Sequence, residues 1–180
     1  LKTGWKRITD GDLVYYTVEA FENTGLVRHC FTTRYGGVST GDTATMNLGF
    51  NRGDKRENVI KNYDIICSSI GVNYKNLVLS NQVHEDKIRI VGKNDCGKGI
   101  VRESDIIGID GLMTNESGVG LATFYADCVP LMFLDPVKKV IASSHSGWRS
   151  TLLDIGPKTV AKMIKDFDSR KENILVGVGP

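Results

Sequence analysis

The sequence predicts a single α/β (α+β) domain, spanning 1–180, built on mixed sheets. Three observations carry that expectation. Short apolar-leaning segments bounded by Gly, Asn, Asp or Pro recur from Leu13 to Val178, which is the pattern of strands. Two longer segments repeat their apolar residues at helical spacing instead. No internal repeat or low-complexity tract interrupts them, and 180 residues suffice for a full core.

Residues 13–18 and 27–33 read as strands joined through the turn signal Asn23-Thr24-Gly25. Residues 54–71 form the clearest helix. Asp54 is placed to cap it, with Glu57 completing a capping box. Val59, Ile60, Tyr63, Ile66, Cys67 and Ile70 then recur along one face, and Gly71 ends the helix. Cys67 therefore faces the core. Strands follow at 77–80 and 87–91, and the polar stretch 94–105 with Gly97 and Gly99 reads as a surface loop. Further strands are expected at 110–113, 120–125, 131–134 and 140–144, the last two joined as a hairpin by the Asp135-Pro136 turn. A second helical region covers 150–167, with Val160, Met163, Ile164 and Phe167 as its apolar stripe. Pro157 predicts a kink or a restart within it. Residues 174–178 form a last strand before Gly179-Pro180. Many strands with few helices to cover them, ending this abruptly, read as a domain truncated at its C-terminus.

Composition narrows the function classes. The apolar fraction of 41% and charged fraction of 24% are those of a soluble globular protein. A net charge of +2 argues against a broad nucleic-acid surface. The longest apolar runs, such as residues 129–134, are too short to span a bilayer, so no membrane partner is expected. No secretory signal is visible at the start. Cys30, Cys67, Cys96 and Cys128 are irregularly spaced with no CxxC pair, which favours reduced thiols in a cytoplasmic protein.

The chemistry concentrates in few residues. The chain has three histidines. His84 ends Asn81-Gln82-Val83-His84, and His145 follows an apolar strand and precedes Ser146-Gly147-Trp148-Arg149. Side chains displayed at such a strand-to-helix turn commonly build sites in α/β proteins. Cys128 lies between them in Asp127-Cys128-Val129-Pro130. Two imidazoles and a thiol make a three-ligand set for zinc with one position open, as catalytic zinc sites have. All three are read at the C-terminal ends of separate strands, where they would meet at one sheet edge. Taken singly, a histidine such as His84 is more often a surface or hydrogen-bonded residue than a ligand, and a cysteine such as Cys128 more often a small buried hydrophobe than a nucleophile. In Thr33-Arg34-Tyr35-Gly36-Gly37, the glycines permit amides to face an anion and Arg34 offers a fork to phosphate. Spacing alone favours the plainer reading, a Gly-Gly turn beside a solvated arginine. Asn47, in Met46-Asn47-Leu48-Gly49, either binds a ligand or caps a turn.

Read together, the segments 31–39, 47–49, 81–84, 110–113, 126–130 and 145–149 resemble the laccase-domain family, known as polyphenol oxidases or purine nucleoside phosphorylases. The likeness runs from about Val27 to Pro180. It implies an α/β/β/α layered sandwich and a zinc site of His84, Cys128 and His145, which would also be the catalytic residues. It further implies phosphorolysis of adenosine, inosine and methylthioadenosine, with hydrolytic deamination of adenosine beside it. Purine nucleosides and phosphate would be the partners. By the residues' own chemistry Arg34 is the first candidate phosphate contact and Arg149 the second, with Asn47 as a further substrate contact. Ser150 stands where the family usually has Gly, which should alter the start of the following helix.

Copper is the less favoured metal. A multicopper oxidase needs a histidine-rich trinuclear cluster, and three histidines with no His-x-His pair do not supply one. A single blue-copper-like site remains an option for the same residues. Two further alternatives are a thiol hydrolase, with Cys128 as nucleophile and His145 as base, and a structural metal module. The module would need a fourth protein ligand, and His29 is expected mid-strand beside Cys30.

Overall fold

The protein is described by a computed structural model covering residues 4–179. The chain falls into two compact units, Leu1–Tyr74 and Lys75–Pro180, and its elements mix helices with parallel and antiparallel strands. Among the described residues no helix is long and apolar enough to cross a membrane.

The first unit holds strands β1 (Trp5–Asp10), β2 (Leu13–Val18) and β3 (Phe31–Thr32) in an antiparallel sheet, with helices α1 (Glu19–Glu22) and α2 (Arg56–Ser69). β1 was not expected. Its six residues are all exposed or half-buried, so the strand carries no apolar alternation to betray it. The strand expected over 27–33 shrinks to β3. Val18 donates its N–H to Nε2 of His29 at 2.7 Å, so residues before Phe31 meet β2 through a side chain. His29 is accordingly in irregular chain, not mid-strand.

α2 starts two residues later than expected, at Arg56, and Lys55 takes the cap position with no side-chain bond. Asp54 instead accepts from the Lys55 amide at 2.8 Å and the Asn58 side chain at 2.9 Å, so the predicted capping box does not form. The end is as predicted. Gly71, at φ +71°, donates to the Ser68 carbonyl, and Val72 donates to that of Cys67, a Schellman closure that glycine favours. Cys67 is buried, and burial is the main cause lifting its thiol to about 12.

The second unit contains β4 (Leu77–Leu79), β5 (Ile88–Ile90), β6 (Gly111–Thr114), β7 (Gly120–Ala122), β8 (Val129–Asp135), β9 (Val140–Ser146) and β10 (Leu175–Val178). Five of these form a mixed sheet in the order β10-β8-β9-β6-β5, while β4 pairs with β7 alone. The Asp135-Pro136 hairpin is present, with Val129 opposite Ser146 at its far end. The expected strand over 120–125 stops at Ala122, for a reason given by the site below. The predicted second helix is two, α3 (Trp148–Leu152) and α4 (Ile155–Phe167). The break falls at Asp154, at φ +61°. Pro157 lies in the first turn of α4, where a missing N–H costs nothing. α4 docks on the sheet through Met163, which packs with Met113, Phe133, Val140 and Ala142. Burying a side chain of that size is worth about 1.5–3 kcal/mol. Thr159 and Ser144 add a buried hydroxyl pair at 2.7 Å, fixing α4 against β9.

Candidate metal centre

Three separate segments of the second unit bring His84, Cys128 and His145 together. His145 is on β9, opposite Pro130 of β8. Cys128 immediately precedes β8, so it sits at the N-terminal end of a strand and not at a C-terminal end as expected. The antiparallel pairing explains this, because the start of β8 must lie beside the end of β9. His84 lies in the loop beyond β4, with φ +62°.

That loop is anchored by its own motif. Asn81 accepts the Gly108 amide on Oδ1 at 3.0 Å. Gln82 donates from Nε2 to the Phe124 carbonyl and accepts the Phe124 amide on Oε1, each at 2.7 Å. Phe124 thus spends both backbone groups on a side chain, and β7 cannot continue past Ala122. The amides of Val83, His84 and Glu85 then converge on the Asp110 carboxylate at 2.9–3.0 Å.

One ring nitrogen from each imidazole and the Cys128 sulfur lie within 4.8 Å of one another. Cys128 Sγ is 3.7 Å from His84 Nε2, and the two imidazoles meet edge-on with centroids 4.7 Å apart. Ligand atoms around a tetrahedral zinc, at the usual Zn–N and Zn–S lengths, are roughly 3.3–3.7 Å apart. The set fits a metal once its loosest pair closes by roughly 1 Å. His145 is buried, and its Nδ1 is engaged by Asp110 at 2.8 Å, leaving Nε2 as the atom that could ligate a metal. Gly147 is required here. A Cβ on it would lie 2.6 Å from His84 Cδ2 and 3.0 Å from Cys128 Sγ.

The surroundings are polar. Arg149 pairs with Glu85 at 2.7 Å, and Asp86 pairs with Lys158. Tyr125 lies with its ring 5.8 Å from that of His145. Burial raises its phenol, against hydrogen bonds from Ser143 and Thr123 that lower it. Ser150 is fully buried, accepting the Gly147 amide at 2.8 Å and donating to the His145 carbonyl at 2.8 Å. From the first turn of α3 its hydroxyl thus reaches back to the amide of Gly147 at the cap position.

Arg34 and Asn47 belong to the first unit. Arg34 is exposed and donates from Nε and Nη2 to the Ala44 carbonyl. Asn47 closes its own turn by accepting the Gly49 amide at 3.0 Å and donates to Asp54 at 3.1 Å. Gly37, Val38 and Ser39 donate their amides to Thr45 Oγ1, Asn62 Oδ1 and the Thr45 carbonyl. Gly36 and Gly37 allow close backbone approach, since a Cβ would fall 2.3 Å from Leu13 Cα or 2.1 Å from the Thr45 carbonyl. These contacts follow the turn reading of the segment. Fully buried Asn62 organises it, a polar residue on the apolar face of α2 that the helical periodicity does not single out. Asp110 is likewise not singled out by the sequence beyond its place in the 110–113 segment. Its one signal was an acidic residue flush against the apolar run Gly111-Leu112-Met113.

A family model described as multi-copper polyphenol oxidoreductase laccase matches residues 28–180. The chain belongs to that family. It is 36% identical over 152 residues to purine nucleoside phosphorylase YlmD of Bacillus subtilis, covering 83% of this chain and 54% of that protein. It is 34% identical over 173 residues to purine nucleoside phosphorylase LACC1 of Mus musculus, covering 94% of this chain and 37% of that one. The crystal structure of Bacillus licheniformis hypothetical protein YfiH superposes with a TM-score of 0.86 at 29% identity, over 98% of this chain and 64% of its own. YlmD of Geobacillus stearothermophilus gives 0.81 at 30% identity, over 100% and 63%. The chain thus spans about half the length, or less, of these two phosphorylases. The family and the mixed α/β fold expected from the motifs are both met.

Proposed function

We propose that this protein cleaves purine nucleosides by phosphorolysis, at a zinc centre held by His84, Cys128 and His145. The observation that carries the reading is the convergence of three ligand atoms from three chain segments within 4.8 Å. Among the described residues the cluster offers three such ligands, as a site with an open position requires and a structural module does not. Zinc bound there would supply a Lewis acid and a water of pKa about 7.

In phosphorolysis a phosphate oxygen bonds to the anomeric carbon while the bond from that carbon to the base breaks. The bonding pair leaves with the base, which takes up a proton. The protein's work is to hold phosphate against a carbon of cationic character and to supply that proton. Arg149, steadied by Glu85, is the phosphate contact. Asp127, exposed beside Cys128, is the proton carrier. Arg34 and Asn47 enter this reading only as substrate contacts proposed from the sequence.

Adenosine, inosine or methylthioadenosine incubated with the protein, zinc and phosphate should release free base and the pentose 1-phosphate. No phosphate-dependent release from metal-loaded protein would overturn the reading. A second reading has one observation behind it: Cys128 Sγ contacts a histidine, and Asp110 orients another, as in a Cys-His hydrolase. The sulfur's contact is His84, not His145 as a Cys128–His145 dyad needs. Chelation separates the two, because a thiol hydrolase keeps its activity when metal is removed. Copper at the same donors would show as intense visible absorption and as copper in elemental analysis.

A further inference from the structure

We propose that Asp110 is a positioning residue that presets this centre, holding both imidazoles in ligating form before metal arrives. The inference rests on the reading of His84, Cys128 and His145 as a metal site. Asp110 is fully buried, and a buried carboxylate persists only where its lone pairs are filled. Here Oδ1 accepts the His84 amide at 2.9 Å and His145 Nδ1 at 2.8 Å. Oδ2 accepts the Val83 amide at 3.0 Å and the Glu85 amide at 2.9 Å.

Three consecutive amides pointing at one carboxylate force residues 83–85 to curl around it. The curl leaves His84 at φ +62°, a conformation that L side chains seldom adopt. Remove the anion and the three amides lose their partner, so the loop relaxes and carries His84 away from Cys128. The other ligand is set differently. A carboxylate can only accept, so Nδ1 of a neutral His145 must carry the hydrogen, and Nε2 keeps its lone pair for the metal. The backbone repeats the clamp, since the Asp110 carbonyl accepts the His145 amide at 2.8 Å. One side chain therefore fixes the backbone of one ligand and the tautomer of the other.

Asp110→Asn preserves volume but must aim its NH2 at groups that are themselves donors. Facing His145, it would favour the Nε2–H tautomer and remove the ligating lone pair. The expected result is a loss of zinc affinity of about 10–100-fold, read by competition with a chromophoric chelator, in a protein that still melts cooperatively. A second measurement needs no variant. Nitrogen-15 spectra of metal-free wild type should show neutral His145 as the Nδ1–H tautomer. The Nε2–H tautomer in wild type, or unchanged zinc affinity in folded Asp110→Asn, would overturn the inference. If the variant does not fold, the wild-type tautomer decides. Wild type that binds no zinc overturns the metal-site reading and this inference with it, whereas normal wild-type binding with an unaltered variant overturns this inference alone.

Discussion

The side chain of Gln82 closes a ring of two hydrogen bonds with the backbone of Phe124, donating to its carbonyl and accepting its amide at 2.7 Å each. It thereby ties the loop carrying His84 to the segment carrying Cys128. The Ser80 hydroxyl donates to the same Oε1 at 2.9 Å and holds the amide's orientation.

Gln82→Ala should therefore loosen the centre without touching a ligand. Two partly buried backbone groups would lose their partners, at about 1–3 kcal/mol in stability. Zinc affinity should fall with it. Denaturant melts together with chelator competition check both effects, and a destabilised variant with wild-type zinc affinity would show that the ring is structural only.

The ligand assignment makes the most direct prediction. His84→Ala, Cys128→Ala and His145→Ala should each strip most of the metal, because no other described His, Cys, Asp or Glu joins the cluster to replace them. Elemental analysis of purified protein measures it. Near-stoichiometric zinc in all three variants would remove the centre from the proposal.

Gly147→Ala probes the same site from the backbone. The added methyl would meet His84 Cδ2 at 2.6 Å and Cys128 Sγ at 3.0 Å, so both ligands must move apart. Overpacking of this kind costs about 1–3 kcal/mol. Weaker zinc binding is expected beside that loss, whereas Gly118→Ala, at φ +83° and with open space for its Cβ, should lose stability alone. Parallel zinc titrations of the two variants test the contrast.

How much of this was legible beforehand depends on the distance over which each signal acts. The β8–β9 hairpin could be read from Asp135-Pro136, and α2 from its apolar stripe and Gly71, because those signals are local. The proposed ligands themselves stood out as rare residue types in compact motifs. Their placement did not, because the position of Cys128 at the start of β8 follows from a strand register that no spacing reveals. Asp110 was invisible as a site residue for a similar reason. Its donors lie 25–27 and 35 positions away, and an acidic residue at a strand end looks like a solvated one until they converge. At 34–39 the turn that the Gly pair favours is what forms, because both glycines serve close backbone packing around Asn62.

Stability of the first unit should depend on pH through His29. Its Nε2 accepts the Val18 amide at 2.7 Å, so the folded state uses a neutral ring. Burial lowers its pKa below the usual 6.5, against the charge of Glu22, which raises it. In the window between the folded and unfolded values the unfolded chain binds more protons, so stability is full above about 6.5 and falls as pH drops below it. Thermal melts across this window should show that slope in wild type and a flatter one in His29→Asn. Parallel slopes would assign the pH dependence to other groups.

Deamination of adenosine is the activity with the least support from these residues. Zinc nucleobase deaminases pair a His-x-Glu motif with Pro-Cys-x-x-Cys, and this chain has His84-Glu85-Asp86 and Asp127-Cys128-Val129-Pro130 instead. Glu85 is also occupied, with its carboxylate on Arg149 at 2.7 Å and its amide on Asp110. A hydroxide attacking C6 of adenine would therefore depend on Asp127 for proton transfer to departing ammonia. If the reaction runs at this centre, Cys128→Ala should lower ammonia release at least as far as it lowers zinc content. Asp127→Asn should slow release while leaving zinc content unchanged. Equal ammonia release by wild type and Cys128→Ala would separate the reaction from the metal centre altogether, leaving phosphorolysis as the chemistry to be tested there.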